Sequence, residues 1–228
     1  MSKHKTHLFT ALSRYGYRLS LAAILLYNNW ILGLVLNSNA TWAGATTSEL
    51  GATDQPWSWA FRTLDILGGA LFLLGASALV SLAVTKRTRA VLMFAVAALG
   101  LSTIAESLFF PLQCSSALSR LCEHQENLGL VGWQDSFHVI ESFASYLLIW
   151  LLPLTVLVIL RGKQEAGRLK LWSRVLAVFM VLWGIETVIR YNHGAASYGV
   201  EQRIFVVLFS YWYWQAIRLA RRSSNETK

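Results

Sequence analysis

Several charged residues of this sequence fall inside long apolar stretches. They are a histidine and four carboxylates: Asp65, Glu106, His138, Glu141 and Glu186. A charge at the centre of a membrane helix costs about 2.5–3.5 kcal/mol on insertion scales, so each is a candidate for function. At a rise of about 1.5 Å per residue, the carboxylates all lie roughly 5–8 Å inside one boundary of their stretches. The sequence therefore predicts a polar layer to which several helices contribute.

Four of these residues are candidate catalytic groups, namely Asp65, Glu106, His138 and Glu141. A carboxylate could act as a general base with His138 as its proton partner. Ser142 lies one turn after His138, so a Ser–His pair is an alternative. His138 with Asp65, Glu106 or Glu141 could also hold zinc or iron, whose bound water would attack a lipid or acyl bond. No metal is assigned, the cofactor stays open, and the sequence does not decide whether the protein is an enzyme.

Three arginines near the same layer are candidate substrate-binding residues, together with Ser142: Arg62, Arg190 and Arg203. A guanidinium can hold a phosphate or carboxylate head group through two parallel hydrogen bonds. The alternative is structural. Arg62 and Asp65 are three residues apart, and Glu186 and Arg190 are four apart, which is the spacing of ion pairs within one helix.

The elements that must position these residues are membrane helices. Of 228 residues, 55% are hydrophobic and 14% are charged, against about 25% charged in a typical soluble domain. Six windows approach the roughly 20 apolar residues that a spanning helix needs: 19–36, 60–84, 90–112, 136–160, 171–189 and 200–219. We predict an all-α, polytopic bundle of six transmembrane helices, forming a single domain over residues 1–228.

The distribution of basic residues predicts the orientation. Sixteen of the 20 lysines and arginines lie in the two tails and in the connections after the second and fourth spans. The positive-inside rule therefore places both termini in the cytoplasm. The net charge of +8 then reflects topology and attraction to anionic lipids, and does not indicate nucleic-acid binding.

Two cysteines, Cys114 and Cys122, fall in the connection after the third span, on the predicted outer side. Disulfides persist in such an oxidising compartment, so we expect this pair to be bonded. Two cysteines do not complete a structural zinc site, which needs four ligands.

Three stretches of the sequence form a recognisable pattern. The first is Ser48-Glu49-Leu50, followed by Arg62-Thr63-Leu64-Asp65. The second is Phe110-Pro111, followed by Cys114 and Cys122, and the third is Asp135-Ser136-Phe137-His138. Together they resemble a family of bacterial membrane proteins, domain of unknown function 998 (DUF998). The resemblance implies a bacterial inner membrane and supplies no activity.

Our leading functional hypothesis is a polar pocket in the outer leaflet that binds the head group of a lipid or other amphiphile, with hydrolase or transferase chemistry as an extension. The runner-up is a sensor or assembly protein whose charged layer is structural, and a small ion- or proton-coupled transporter ranks third. Membrane lipids are the expected partners, with a second copy or another membrane protein as further candidates. The predicted spans contain no lysine, which excludes a retinal Schiff base.

Overall fold

The computed structural model describes residues 3–37, 44–82, 85–161, 166–192 and 199–226. Within these ranges every regular element is helical: α1 Lys3–Tyr27, α2 Trp30–Leu36, α3 Ser58–Gly75, α4 Lys86–Phe109, α5 Arg120–Asn127, α6 Trp133–Ile159, α7 Gly167–Asn192 and α8 Gly199–Glu226. Two 3-10 helices, Ser48–Gly51 and Ala76–Leu82, precede and follow α3. The predicted all-helical class is confirmed for this part of the chain.

Four stretches are long and apolar enough to cross a membrane: Tyr15–Leu36, Ser58–Leu79, Lys86–Phe109 and Trp133–Ile159. They coincide with the first four predicted spans, although α4 ends at Phe109 and not at residue 112. α7 and α8 have 26 and 28 residues and cover the last two predicted spans, whose membrane crossing stays a prediction. Large apolar side chains such as Phe143, which is 62% exposed, point outward, as suits a lipid environment.

The bundle has two distinct ends. Contacts of Asn29 with Asp65 and of Glu106 with His138 bring together the second half of the first span, the first half of α3, the end of α4 and the first two turns of α6. We call this the loop end, because it carries the connections 44–57 and 110–132. α1 begins and α8 finishes at the opposite end, which we call the terminal end. Which membrane face each end occupies stays a prediction.

Glycines allow α3 to lie directly against α4 and α1. A Cβ atom added at Gly69 would come within 2.6 Å of the carbonyl oxygen of Gly100 on α4. One added at Gly75 would come within 2.6 Å of Ser20 Oγ on α1. Small residues at such contacts let helix backbones approach closely in membranes, where packing drives association.

The first span is interrupted at Asn28 and Asn29, between α1 and α2. The backbone tightens there, with Asn29 N–H donating to the Leu26 carbonyl three residues earlier. The Asn28 amide donates to the Ile24 carbonyl and to Ser210 Oγ on α8, both at 2.8 Å. The interruption turns the neighbouring Asn29 amide toward α3.

An aromatic core fills the bundle next to the polar layer. Tyr27 packs edge-on against Phe72 and Phe209, with ring centroids 5.5 and 5.9 Å apart. Phe72 also contacts Tyr213 at 5.4 Å. Phe72, Phe209 and Tyr213 are fully buried, so this core joins α1, α3 and α8.

Candidate functional site

A cavity of about 170 Å³ opens among the helices toward the loop end. Its polar lining residues are Tyr27, Asn29, Thr47, Ser48, Asp65, Thr103, Glu106, Ser142, Ser145, Tyr146 and Gln202, and its apolar ones are Leu99, Ile149, Trp183, Phe205 and Val206.

The lining changes from polar to apolar in the direction away from the loop end. On α4 the lining changes from Glu106 to Leu99, and on α6 it changes from Ser142 to Ile149. On α8 the change from Gln202 to Phe205 takes place over a shorter distance. Seven residues of helix correspond to about 10 Å at 1.5 Å per residue. The cavity is therefore amphipathic along the axis of the bundle.

Of the two described carboxyl groups that line the cavity, Glu106 has more contacts with other elements than Asp65 has. It sits in the last turn of α4, where its Oε1 accepts a hydrogen bond from Ser48 Oγ at 3.0 Å. The same oxygen lies 3.2 Å from His138 Nε2 on α6. His138 is buried, with 7% of its surface exposed. Glu106 thus connects the 3-10 helix Ser48–Gly51, α4 and α6.

The other ring nitrogen of His138 determines how the pair can be protonated. His138 Nδ1 lies 3.0 Å from the carbonyl oxygen of Phe110. A carbonyl only accepts, so Nδ1 carries a proton, and a neutral ring then has Nε2 as an acceptor. The contact between Nε2 and Glu106 therefore holds one further proton, either on the ring or on the carboxyl group. Such a shared proton is what general acid–base chemistry requires.

Glu141 lies one turn after His138 on α6. Its Oε1 accepts hydrogen bonds from Ser145 Oγ, at 2.8 Å, and from Ser102 Oγ. Its Oε2 is buried without a hydrogen-bond partner in the described part of the chain. Glu141 and Glu106 interact electrostatically, but Glu141 is not among the lining residues. Glu141 therefore contacts two residues that line the cavity, Glu106 and Ser145, without lining it itself.

Asp65 reaches the cavity from α3. Its Oδ1 accepts a hydrogen bond of 2.6 Å from the Asn29 amide, which the interruption of the first span places there. The ion pair with Arg62 that the spacing favours is not formed between these two described residues. Arg62 instead donates from Nε to the Ser107 carbonyl at 2.8 Å. Carbonyls in the last turn of a helix lack a partner within it, and Arg62 satisfies one of them.

Among the described residues, Arg203 does not line the cavity either. Arg203 is 4% exposed and donates to the carbonyls of Ala45 and Gly199 at 2.7 and 2.8 Å. Its guanidinium also lies 5.7 Å from the ring centroid of Trp30. The side chain of Arg190 lies outside the described residues, so its pairing with Glu186 stays a prediction. Glu186 itself is not among the lining residues that the structure describes.

Glu49 is a buried carboxylate that our sequence reasoning did not single out. Its Oε2 accepts from Thr46 N–H at 2.6 Å, and its Oε1 accepts from Ser115 Oγ and Ala117 N–H, both at 3.0 Å. It thereby fixes the connection 110–132 to the connection 44–57. The sequence feature that could have identified Glu49 is the Ser48-Glu49-Leu50 stretch, which is part of the family pattern. Its neighbour Ser48 donates to Glu106.

Cys114 and Cys122 lie at disulfide-bonding distance, with Cα atoms 6.0 Å apart. The expected pairing is therefore confirmed. Asp54 accepts from the Ser115 N–H at 3.2 Å, and Asp135 accepts from the Gln113 N–H at 3.0 Å. Residues on both sides of Cys114 are held at the loop end by carboxylates.

Two of the predicted chemistries lack the required geometry in the described residues. No group of three His, Cys, Asp or Glu side chains there is placed to hold a metal ion. Ser142 lines the cavity, but His138 directs its ring nitrogens to Glu106 and Phe110. A Ser–His nucleophile is therefore not assembled, and the Glu106–His138 pair is the acid–base group that remains.

The all-helical fold and its four long apolar helices indicate a helical membrane protein. Residues 20–217 match the family described as protein of unknown function (DUF998), and the chain belongs to this family. A search of curated proteins and a search of solved structures gave no match. The predicted resemblance is confirmed over most of the chain.

Proposed function

We propose that this protein binds the polar head group of an amphiphile in the cavity at its loop end. The supporting observation is the amphipathic lining, with Glu106 and Gln202 toward the loop end and Leu99, Ile149 and Phe205 farther inside. A lipid in the adjacent leaflet has the same order, with its head outermost and its chain inward. The cavity and such a ligand are therefore matched in polarity along the same axis.

The size of the cavity limits which part of the ligand it holds. A cavity of about 150 Å³ accommodates one benzene molecule, so about 170 Å³ suits a group of comparable size. A head group and its first carbons fit, whereas a full acyl chain does not. The rest of the chain lies outside the cavity, among the apolar side chains that face the lipid.

The proposal includes six membrane spans, with the terminal end in the cytoplasm and the loop end outside. Exposed basic residues of the terminal end support this orientation, among them Arg87 and Arg89 at the start of α4 and Arg221 and Arg222 near the end of α8. The family resemblance supports a bacterial inner membrane as the location. Reporter fusions at both termini, active only in the cytoplasm, test this topology, and a fusion that is produced but inactive at either terminus would contradict it.

Native mass spectrometry of the protein released from membranes tests head-group binding. We expect the wild-type protein to retain a bound amphiphile and Glu106→Gln to lose it. Glu123→Gln on α5 is the matched control, since Glu123 is an exposed carboxylate outside the cavity. If the wild-type protein and Glu106→Gln retain the same molecules in the same amounts, the polar layer is structural and the proposal is wrong.

The Glu106–His138 pair supports a second candidate, hydrolase or transferase chemistry on the bound amphiphile. Its shared proton lies next to the cavity, where a base must take a proton from water or an acceptor alcohol. Time-resolved analysis of the bound amphiphile tests this candidate. We expect products that accumulate with the wild-type protein and not with His138→Gln, while both proteins still bind the amphiphile. Unchanged amphiphile in both samples contradicts it.

A further inference from the structure

The charges around the cavity are unbalanced. Two carboxyl groups line it, Asp65 and Glu106, and the lining that the structure describes includes no lysine or arginine. Glu106 has His138 as a basic neighbour. Asp65 has the neutral Asn29 amide, and no salt bridge joins it to a described residue. A buried carboxylate needs a counter-charge or a proton. A cationic group of a ligand in the cavity would supply the counter-charge that Asp65 lacks among the described residues.

The same charges act against an anionic ligand. The candidate arginines that the structure describes, Arg62 and Arg203, donate to backbone carbonyls outside the cavity. A phosphate or carboxylate head group would lie near Asp65 and Glu106 without a basic side chain to offset the repulsion. Like charges at close range in a medium of low dielectric constant repel strongly. The geometry therefore disfavours the anionic head group that the arginines suggested at first.

Aromatic rings form another part of the lining. Tyr27, Tyr146 and Trp183 all line the cavity. The Trp183 ring is held by Tyr146 and Phe205, with centroids 5.7 and 5.2 Å apart. Aromatic faces attract ammonium groups, and the attraction is stronger where water is excluded. This feature is independent of the carboxylates and indicates the same kind of ligand.

We propose that the cavity binds a primary ammonium group, an inference that rests on the proposed head-group function. The three N–H donors of the ammonium group match the acceptors offered by Asp65, Glu106 and the hydroxyl of Ser145. The carbon next to the nitrogen contacts the aromatic rings. A hydrated inorganic cation gains little from those rings or from the apolar part of the lining. The group belongs either to an amphiphile or to a free amine.

Binding measurements on the full-length protein in nanodiscs of phosphatidylcholine test this proposal. The probes are dodecylammonium, dodecanol and dodecyl phosphate, with ethanolammonium as a free amine and sodium chloride as the inorganic cation. Trp fluorescence is the readout, and protein-free nanodiscs correct for partitioning of each probe. We expect saturable binding of dodecylammonium that is weakened about tenfold or more in Asp65→Asn, as expected when one partner of a buried charge pair is lost. Glu123→Gln is expected to bind as the wild-type protein does.

The pattern of binding among the probes distinguishes failure of the ammonium assignment from failure of the proposed function. Saturable binding of dodecanol or dodecyl phosphate that equals or exceeds that of dodecylammonium overturns the ammonium assignment and leaves head-group binding intact. Binding of ethanolammonium alone supports the ammonium site and overturns the amphiphile. Binding of no probe overturns both, and a sodium signal that dodecylammonium does not compete away overturns the ammonium group. If Asp65→Asn fails to fold, the order of affinities in the wild-type protein decides.

Discussion

His138 and Glu106 lie side by side on α6 and α4, with Nε2 and Oε1 3.2 Å apart. The Phe110 carbonyl contacts the other ring nitrogen, Nδ1, so both ring nitrogens contact the last turn of α4 or the residue that follows it. The pair therefore fastens α4 to α6 at the loop end and also presents a carboxyl group to the cavity. Substitutions of the two residues can separate the contribution of the pair to stability from its proposed contribution to ligand binding.

His138→Ala is expected to lower the free energy of unfolding by about 1–3 kcal/mol, because it leaves the Phe110 carbonyl and Glu106 without their partner. Glu106→Gln is expected to cost less, since an NH₂ group in the place of Oε1 can donate to His138 Nε2 and to the Ser48 hydroxyl oxygen, which accepts as well as donates. Thermal unfolding of both variants in the same detergent checks this order. Equal losses would show that the charge of Glu106 stabilises the fold and does not serve the cavity alone.

Glu49→Gln is expected to destabilise the loop end by about 2–4 kcal/mol. The carboxylate accepts from Thr46, Ser115 and Ala117, and an amide would turn an NH₂ group toward some of these donors. Limited proteolysis of the connection 110–132 measures the local effect. Cleavage as slow as in the wild-type protein would contradict the assigned role, and Glu123→Gln serves as the exposed control.

Replacing Cys114 and Cys122 by serine is expected to cost about 2–3 kcal/mol, as the loop-entropy relation gives for a loop this short. Denaturation of the variant against the oxidised wild-type protein gives the value. In the wild-type protein, a maleimide reagent should modify both cysteines only after reduction. Labelling without reductant would show that the thiols are free.

Gly69→Ala is expected to destabilise the bundle by about 1–3 kcal/mol, because the added methyl group would press on the Gly100 carbonyl and overpack the contact between α3 and α4. Gly167→Ala is the matched control. A Cβ atom at Gly167 meets no atom within 4 Å, so the helix propensity of alanine should leave stability unchanged or raise it by up to about 1 kcal/mol. Similar unfolding temperatures for the two variants would contradict the close packing of α3 on α4.

The positions of the helices were predictable from the sequence because apolar length is a strong signal in a membrane protein. The sequence also predicts a common depth for Asp65, Glu106, Glu141 and Glu186, since helical rise converts residue number into height, and the structure places Asp65 and Glu106 on one cavity. The hydrogen-bond partner of each of these carboxyl groups was not predictable. Asp65 contacts Asn29 because α1 and α2 are interrupted at that point, which no spacing rule reveals.

The arginines show how spacing can mislead. Arg62 and Asp65 have the spacing of an intrahelical ion pair, yet Arg62 donates to the Ser107 carbonyl. An unsatisfied carbonyl at the end of a neighbouring helix competes for the guanidinium, and such a carbonyl leaves no mark in the sequence. Arg203 behaves in the same way toward Ala45 and Gly199. Residues with a donor-rich side chain near helix ends are therefore weak evidence for ligand binding.

Ser48 and Glu49 are consecutive residues with different partners, and this has a consequence for biosynthesis. Ser48 donates to Glu106 at the cavity, and Glu49 holds the segment just after Cys114. In a chain whose two cysteines are not joined, we expect a looser connection 110–132 and therefore a less firmly held Ser48. Closure of the disulfide is therefore expected to order the part of the cavity lining that Ser48 contributes.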